Sequence, residues 1–431
     1  MNICQTDLPL DWYQEEFKPY AEEYQRLPDR RPGTVLPWLD RYAQPALEHF
    51  GDSLLLVAHF YMGGEIVKLV ERYGGAVSDS YQLALQAARN PHKKVIVESA
   101  VHFMAESIAI LAHEDQSVWI TNPKAGCTME MLAKDYMVEP VAEQLIERYG
   151  EDLLVVAYMN TGGRIKALAG RTGGAVCTSS NAPKIVDWAR KKGKKILFVP
   201  DQHLGRNTAA KLGMDLSKVV ALPDPQLGRG GFKVDDRTVA GGLAALDRAE
   251  MILWGSFCGV HTVFSPAHVQ YWRERGYTVL VHPESKLEVV QAADGSGSTN
   301  FLWEALMKAP SGSKLAIGTE GHFVRNAREQ GRQRGVEVVH LADIPDPKFG
   351  SMGCGCATMS RNDPPHLAGM LDLLRKGTPP AINRVYAGDV VDEETGALDR
   401  LKQAERSELI RNARLSLQRM IDITETGTSA V

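Results

Sequence analysis

Short apolar runs alternate along the chain with longer stretches in which apolar residues recur at helical spacing. Runs that are apolar throughout are typical of strands buried on both faces of a parallel sheet. The alternation therefore predicts an α/β fold of doubly wound parallel sheets, with helices on both faces. The predicted strands span residues 54–58, 95–97, 153–157, 196–199, 279–281 and 315–317.

The chain also repeats itself. Shifting the sequence by 99 residues places Ala58 on Ala157 and the stretch Gly74-Gly75-Ala76-Val77 on Gly173-Gly174-Ala175-Val176, without a gap. A third, weaker copy begins at Thr278. The copies predict an N-terminal extension, three αβα repeats and a C-terminal helical segment that packs on the core. Their predicted bounds are 1–49, 50–147, 148–262, 263–385 and 386–431.

Polar residues follow the strands at matching places in the three copies. Ligands of such sheets bind beyond the carboxyl ends of the strands, so we expect these residues to face one central site. The first strand of each copy is followed by a triplet: His59-Phe60-Tyr61, Tyr158-Met159-Asn160 and His282-Pro283-Glu284. The second strand is followed by hydroxyl residues, which we expect to open helices whose N–H groups hold an anion: Ser80, Ser179, Ser298 and Thr299.

A single serine at a helix start is usually only an N-cap, and a single histidine at a strand end is usually structural. Threefold recurrence favours a site for the first two sets. The third strands are also followed by acids and histidines. We favour a structural role for Glu98, His102, His203, Glu320 and His322, and Asp201 belongs to the same set.

Composition narrows the class of function. The 431 residues carry a net charge of −4, with 44% hydrophobic and 24% charged residues, which is typical of a soluble globular protein. That balance argues against a broad nucleic-acid surface. Apolar runs of about 18 residues, which could cross a membrane, are absent, and the N-terminus lacks the pattern of a secretion signal. We expect a cytoplasmic protein with no nucleic-acid or membrane partner.

Six cysteines are too few for a disulfide scaffold in a chain of this length. One follows each copy in a glycine-rich turn: Cys127, then Cys258, then Cys354 or Cys356. Three thiolates around one axis suit a cubane iron–sulfur cluster with one iron left without a protein ligand, although three core cysteines would fit the spacing equally well. Cys177 falls in a predicted strand and is expected in the core, whereas Cys4 lies in the terminus.

A series of short motifs resembles the quinolinate synthase family of de novo NAD biosynthesis. In order they read AHFY, SDSYQLA, VHFMAE, AGCTM, AYMNT, CTSSNA, PDQHLG, WGSFCGVH, HPES, GTEGHF and CATM, and they cover about three quarters of the chain. The resemblance implies three similar αβα domains around a pseudo-threefold axis, with the active site at the centre. It also implies a [4Fe-4S] cluster, and condensation of iminoaspartate with dihydroxyacetone phosphate to quinolinate, phosphate and water.

The resemblance also implies roles for individual residues. The cluster ligands fall on Cys127, Cys258 and Cys356, the last chosen because Cys356-Ala357-Thr358-Met359 resembles the family's Cys-x-x-Met. The substrate-binding positions fall on His59, Ser80, Tyr158, Asn160, Ser179, His282, Glu284 and Thr299, with Ser298 beside them. Two positions depart from the family pattern: Ser78 replaces a frequent glycine, and Ser285 replaces a frequent cysteine.

Glu284 is the first choice for general acid and base, and we expect burial beside a negatively charged cluster to raise its pKa. His59, Tyr61 and His282 are the other candidates. The iron without a protein ligand would act as a Lewis acid. We expect functional coupling to the enzyme that makes iminoaspartate. The main alternative is a zinc-dependent aldolase or hydro-lyase that acts on a small phosphorylated or carboxylated substrate, and a cluster-bearing redox sensor is a weaker one.

Overall fold

The computed structural model describes residues 7–226, 229–346, 355–391 and 397–429. Within these ranges the chain builds three parallel sheets of four or five strands, as the sequence predicts. All six predicted strands are present, and each is one or two residues longer than predicted. The described residues group by their contacts into two compact units. The first unit contains the first sheet, and the second unit contains the other two.

The first sheet has the strand order β2-β1-β3-β4. Parallel crossovers are right-handed, so the helix after β1 packs on one face and the helices after β2 and β3 pack on the other. The strands are β1 (Leu54–His59), β2 (Ala76–Ser78), β3 (Val95–Ser99) and β4 (Ser117–Ile120). The helices of this part of the chain are α1 (Lys18–Gln25), α2 (Pro32–Phe50), α3 (Gly64–Arg72), α4 (Ser80–Ala84), α5 (Gln86–Arg89) and α6 (His102–Leu111).

The second sheet has the order β6-β5-β7-β9-β8. Its first strand is buried along its whole length, which explains why its sequence is apolar throughout instead of alternating. The strands are β5 (Leu153–Tyr158), β6 (Ala175–Cys177), β7 (Lys195–Val199), β8 (Val219–Ala221) and β9 (Met251–Leu253). The helices are α7 (Thr128–Met131), α8 (Asp135–Tyr149), α9 (Gly163–Arg171), α10 (Ala182–Lys191), α11 (Gln202–Lys211) and α12 (Gly242–Arg248).

The third sheet has the order β11-β10-β12-β13, the same pattern as the first. Its strands are β10 (Thr278–Val281), β11 (Gly295–Ser296), β12 (Lys314–Gly318) and β13 (Glu337–His340). Its helices are α13 (Pro266–Arg273), α14 (Leu287–Ala292) and α15 (Thr299–Lys308). Helix α16 (Gly321–Arg334) follows β12 in the chain, and most of its residues belong to the first unit. The remaining elements are α17 (Pro364–Lys376), the antiparallel pair β14 (Val390–Val391) and β15 (Leu398–Asp399), and α18 (Gln403–Thr426).

The repeated Gly-Gly-Ala-Val motif has the same structural cause in both copies. Gly74 and Gly173 end α3 and α9 with φ near +70°, a conformation that L side chains rarely adopt. At the next position a Cβ would overlap the backbone of the neighbouring strand: the carbonyl oxygen of Leu56 for Gly75 and that of Val155 for Gly174. The motif therefore marks the tight return from helix to strand.

Additional helices cover the first helix of each of the first two copies. In the first unit, α3 contacts α2, which in turn packs on α17. In the second unit, α18 lies along α9 so closely that a Cβ on Gly170 would overlap the backbone of Asn412. The buried Arg419 guanidinium donates to the carbonyl oxygens of Gly170 (3.2 Å) and Gly174 (2.7 Å). Helix α18 of the predicted C-terminal segment thus packs on α9, while the bounds of all five predicted segments stay predictions.

Of the helices that the structure describes, none combines the length and apolar character needed to cross a bilayer.

Candidate active site

Polar groups of the second unit surround Glu284, one of the predicted site residues. It follows β10, and only 2% of its surface is exposed. Its Oε1 accepts a hydrogen bond of 2.6 Å from the hydroxyl of Tyr158, the last residue of β5. Its Oε2 lies 2.8 Å from Nδ1 of His261. The carboxyl ends of the second and third sheets therefore supply groups that meet at one buried carboxylate.

His282 lies against the same carboxylate. Its ring stacks on that of His261, with centroids 4.5 Å apart, and its Nδ1 accepts the backbone N–H of Glu284 at 3.4 Å. The first unit repeats this turn, because Nδ1 of His59 accepts the N–H of Tyr61 at 3.2 Å. An Nδ1 that accepts a hydrogen bond carries no proton, so Nε2 is the protonated nitrogen of each neutral ring.

The charges around Glu284 reverse the pKa direction expected from the sequence. Burial alone would raise the pKa of this carboxyl, but the charges of His282 and His261 and the hydrogen bond from Tyr158 outweigh burial and lower it. The sequence-based expectation of a raised pKa for Glu284 did not include the charge of His261, which lowers it. Asp201 behaves in the opposite way: burial first, and then the negative charge of Glu284, raise the pKa of Asp201 well above its ordinary value.

Cys258 occupies a turn that is held by Asp201, the N-cap of α11. Oδ1 of this aspartate accepts the N–H of Leu204 at 2.6 Å, and Oδ2 accepts the N–H of Cys258 at 3.0 Å. A backbone hydrogen bond of 3.3 Å from the N–H of His261 to the carbonyl of Cys258 then brings the two side chains together. Their spacing, Cys-x-x-His, was the signal in the sequence that could have identified His261.

Cys356, in the first unit, has a related turn. Oε2 of Glu320 accepts the N–H of Phe323 at 3.0 Å, and Oε1 accepts the N–H of Cys356 at 3.2 Å. A Cβ on Gly355 would lie 2.9 Å from Oε1 of Glu320, which explains the small residue at that position. Burial raises the pKa of the Cys356 thiol. Glu320 thus has the structural role that the sequence favoured, and it also holds a predicted ligand loop.

The described cysteines fall into two groups, and none of them forms a disulfide. The three predicted ligands, Cys127, Cys258 and Cys356, are all partly exposed. Cys177 is fully buried in β6, as predicted, and burial raises its pKa. Cys4 and Cys354 lie outside the described residues, so the choice between Cys354 and Cys356 stays a prediction.

The predicted anion-binding hydroxyls differ from one another in local structure. Ser80 begins α4, but the side chain that caps this helix is Asp79, which accepts the N–H of Gln82 at 3.1 Å. Thr299 begins α15, and Ser298 caps it by accepting the N–H of Phe301 at 3.3 Å.

For Ser179 the expectation of a helix start is wrong. The side chain of Asn181 accepts the N–H of Thr178 at 2.6 Å and closes a turn, so α10 begins only at Ala182. Ser179 lies inside this turn and is half-buried, as is Asn160 just after β5.

Comparison with known proteins agrees with this set of motifs. A family described as "NadA: Quinolinate synthetase A protein" matches residues 46–400. The quinolinate synthase of Streptomyces coelicolor is 39% identical over 93% of this chain and 96% of its own length. That of Corynebacterium glutamicum is 38% identical over 86% of both chains, and that of Staphylococcus carnosus is 34% identical over 95% of this chain and 100% of its own.

The family match covers far more than half of the chain, and these relatives match along nearly their whole length. The chain therefore belongs to the quinolinate synthase family and is an enzyme that makes quinolinate for NAD biosynthesis.

Proposed function

We propose that the chain condenses iminoaspartate with dihydroxyacetone phosphate at a site built around Glu284. In this proposal Cys127, Cys258 and Cys356 hold a [4Fe-4S] cluster with one iron left without a protein ligand. The observation that carries the proposal is the buried Glu284 carboxylate. It accepts a hydrogen bond from the Tyr158 hydroxyl and lies beside the turn of Cys258 and His261.

The proposed ligands suit a cluster in three respects. All three cysteines are partly exposed as residues, whereas Cys177 is fully buried. Asp201 and Glu320 hold the backbone N–H groups of Cys258 and Cys356. Gly355 leaves room that a side chain would fill. When bound, the cluster would supply a Lewis-acidic iron for oxygen donors of the substrate.

Glu284 is the proposed carrier of protons. The condensation removes protons from carbon and nitrogen and returns protons to leaving oxygen atoms, so it needs a group that can alternate between base and acid. The Tyr158 hydroxyl donates to Oε1 and holds the carboxylate in one orientation. Oε2 is the oxygen nearer to the histidines, and His282 offers Nε2–H as a second proton donor. His59 and Tyr61 are the corresponding candidates in the first copy.

The substrates carry two carboxylates and one phosphate, and the hydroxyl residues at the second strand ends suit these anions. Thr299 stands in the first turn of α15, where backbone N–H groups are available to an anion. Ser80 and Ser179 are the matching positions of the other copies, and Asn160 would orient a substrate oxygen. Since Ser298 already accepts a backbone N–H, Thr299 is the stronger candidate of that pair.

Iminoaspartate is an imine and hydrolyses in water, so rapid transfer from its source favours turnover. We therefore include functional coupling to the enzyme that makes iminoaspartate.

The central test is Glu284→Gln in anaerobically purified protein. The amide still accepts a hydrogen bond from Tyr158, so fold and iron content should be unchanged. We expect kcat for quinolinate, detected by mass, to fall by about 10²- to 10⁴-fold, the usual contribution of a general acid or base.

Glu288→Gln, an exposed position on α14, is the matched control and should retain full activity. Near-normal turnover in Glu284→Gln would refute the role of Glu284. For the ligand set, Cys127→Ser, Cys258→Ser and Cys356→Ser should each lose the iron–sulfur absorption, and Cys354→Ser should keep it. Loss of the absorption in Cys354→Ser alone would move the third ligand to Cys354.

A further inference from the structure

The second unit also gathers three donor atoms of different chemical types. One donor atom each of Cys258, His261 and Glu284 lies within 4.8 Å of the others. His261 and Glu284 are almost fully buried, and Cys258 is partly exposed. Membership of the quinolinate synthase family overturns the zinc-dependent aldolase or hydro-lyase as the function, but it does not account for this mixed set.

His261 is oriented as metal-ligating histidines are. Its Nε2 lies 3.0 Å from Oγ1 of Thr319, a partner of the kind that fixes the ring and its tautomer in metal sites. When the ring is neutral and Nε2–H donates to this oxygen, Nδ1 keeps its lone pair. That nitrogen faces Oε2 of Glu284 at 2.8 Å, yet among the described residues it makes no hydrogen bond of acceptable angle. A cation between the two atoms would satisfy both.

The backbone holds these donors in place before any ion arrives. The turn from Cys258 to His261 is closed by its own backbone hydrogen bond and is anchored by Asp201 through the N–H of Cys258. Glu284 is anchored separately by Tyr158. A sulfur, a nitrogen and an oxygen ligand, with a fourth position for water, is the donor set that Zn²⁺ accepts in tetrahedral geometry.

We propose that the protein without its cluster binds one Zn²⁺ ion through Cys258, His261 and Glu284, and that this ion prevents cluster assembly. Binding would release the proton of the Cys258 thiol. The exclusion rests on the proposed function, because Cys258 is then needed by the cluster and Glu284 by the substrate. The zinc site itself depends on neither Cys127 nor Cys356.

The test starts from anaerobic, chelator-stripped full-length protein titrated with Zn²⁺. Three variants are compared with the wild type: the double variant Cys127→Ser/Cys356→Ser, His261→Gln, and the exposed control His113→Gln. We expect one ion per chain, with X-ray absorption giving one sulfur ligand and otherwise nitrogen or oxygen. The double variant and His113→Gln should bind as the wild type does, and His261→Gln at least about tenfold more weakly, since even loss of an outer-shell partner costs that much.

Preloading with Zn²⁺ should then block iron–sulfur reconstitution of the wild type, and His261→Gln should escape part of this block. Three sulfur ligands on zinc, or unchanged affinity in His261→Gln, would overturn the zinc site. Failure of the wild type to form a cluster or quinolinate, with zinc binding as expected, would instead overturn the proposed function and leave the zinc site standing.

Discussion

The first two copies of the repeat differ in where they carry a buried acid. Glu98 in β3 pairs with Val57, and the matching position of the second copy, paired with Val156, is Phe198. At the N-cap of the following helix it is the second copy that has the acid: α11 begins after Asp201, whereas α6 begins after Val101. Each copy therefore carries one acid at the end of its third strand, three positions apart.

The displacement changes what the carboxyl does. Asp201 accepts two backbone N–H groups, one from its own helix and one from Cys258. Both oxygens of Glu98 are buried without a partner among the described residues, and burial raises the pKa of Glu98 well above its ordinary value. At the helix cap the carboxyl of Asp201 holds the turn of Cys258, a predicted cluster ligand. Inside the strand the carboxyl of Glu98 lowers the stability of the fold.

The largest effect on stability is expected when Asp201 is replaced by valine, the residue at the matching N-cap of the first copy. Asp201→Val leaves the N–H groups of Leu204 and Cys258 without an acceptor, at about 1–3 kcal/mol each. Chemical unfolding should show this loss of stability, and iron content per chain should fall as the Cys258 turn loosens. The exposed cap Asp215 is the control, and Asp215→Val should cost only about 1 kcal/mol. Equal losses in the two variants would contradict the special role of Asp201.

The covering helices provide a second way to test the comparison. Gly170 of α9 touches the backbone of α18, while the matching residue of the first copy is the exposed Glu71. Gly170→Ala should lower the free energy of unfolding by about 1–3 kcal/mol, as overpacking does, and should expose α18 to protease. Glu71→Ala should be close to neutral. A neutral Gly170→Ala would mean that α18 shifts at little cost.

The smallest effect is expected at Glu98. Glu98→Leu removes a buried carboxyl that has no partner, so it should stabilise the protein by about 1 kcal/mol at neutral pH. The folded pKa is raised above the ordinary value of 4.5, so wild-type stability falls as pH rises from there toward the folded pKa. The advantage of the variant should therefore grow with pH across that window.

Unfolding of Glu98→Leu and of the wild type at acidic and at neutral pH measures this trend. Glu106 is the counterexample, because this buried acid accepts the N–H of Gly388 at 2.7 Å and Glu106→Leu should destabilise. An advantage of Glu98→Leu that shrinks with rising pH would contradict the assignment of Glu98 as a protonated, uncompensated acid.

Elements whose signal is local could be predicted from the sequence. The six apolar strands are predictable because both their faces are buried, and the paired glycines reveal the repeat. The edge strand β13 was not predicted, since it is short, begins with an exposed glutamate and has only one fully buried residue. Ser179 was misjudged because the neighbouring side chain of Asn181 closes a competing turn.

The parts of the site that escaped prediction depend on contacts between distant segments. The role of Asp201 depends on Cys258, and that of Glu320 on Cys356. Neither contact has a local pattern. His261 did have one, the Cys-x-x-His spacing, but its importance follows from the approach of Glu284 and Thr319.

The covering helices also determine when this protein can finish folding during its synthesis. Helix α17 covers one face of α2, and α18 covers one face of α9. Both covering helices follow the third sheet in the sequence. The faces of α2 and α9 that these helices cover therefore stay uncovered until α17 and α18 have been made. Until then the nascent chain carries two uncovered apolar faces. We expect its yield in the cell to depend more strongly on chaperone capacity and elongation rate than the yield of a protein whose repeats close one by one.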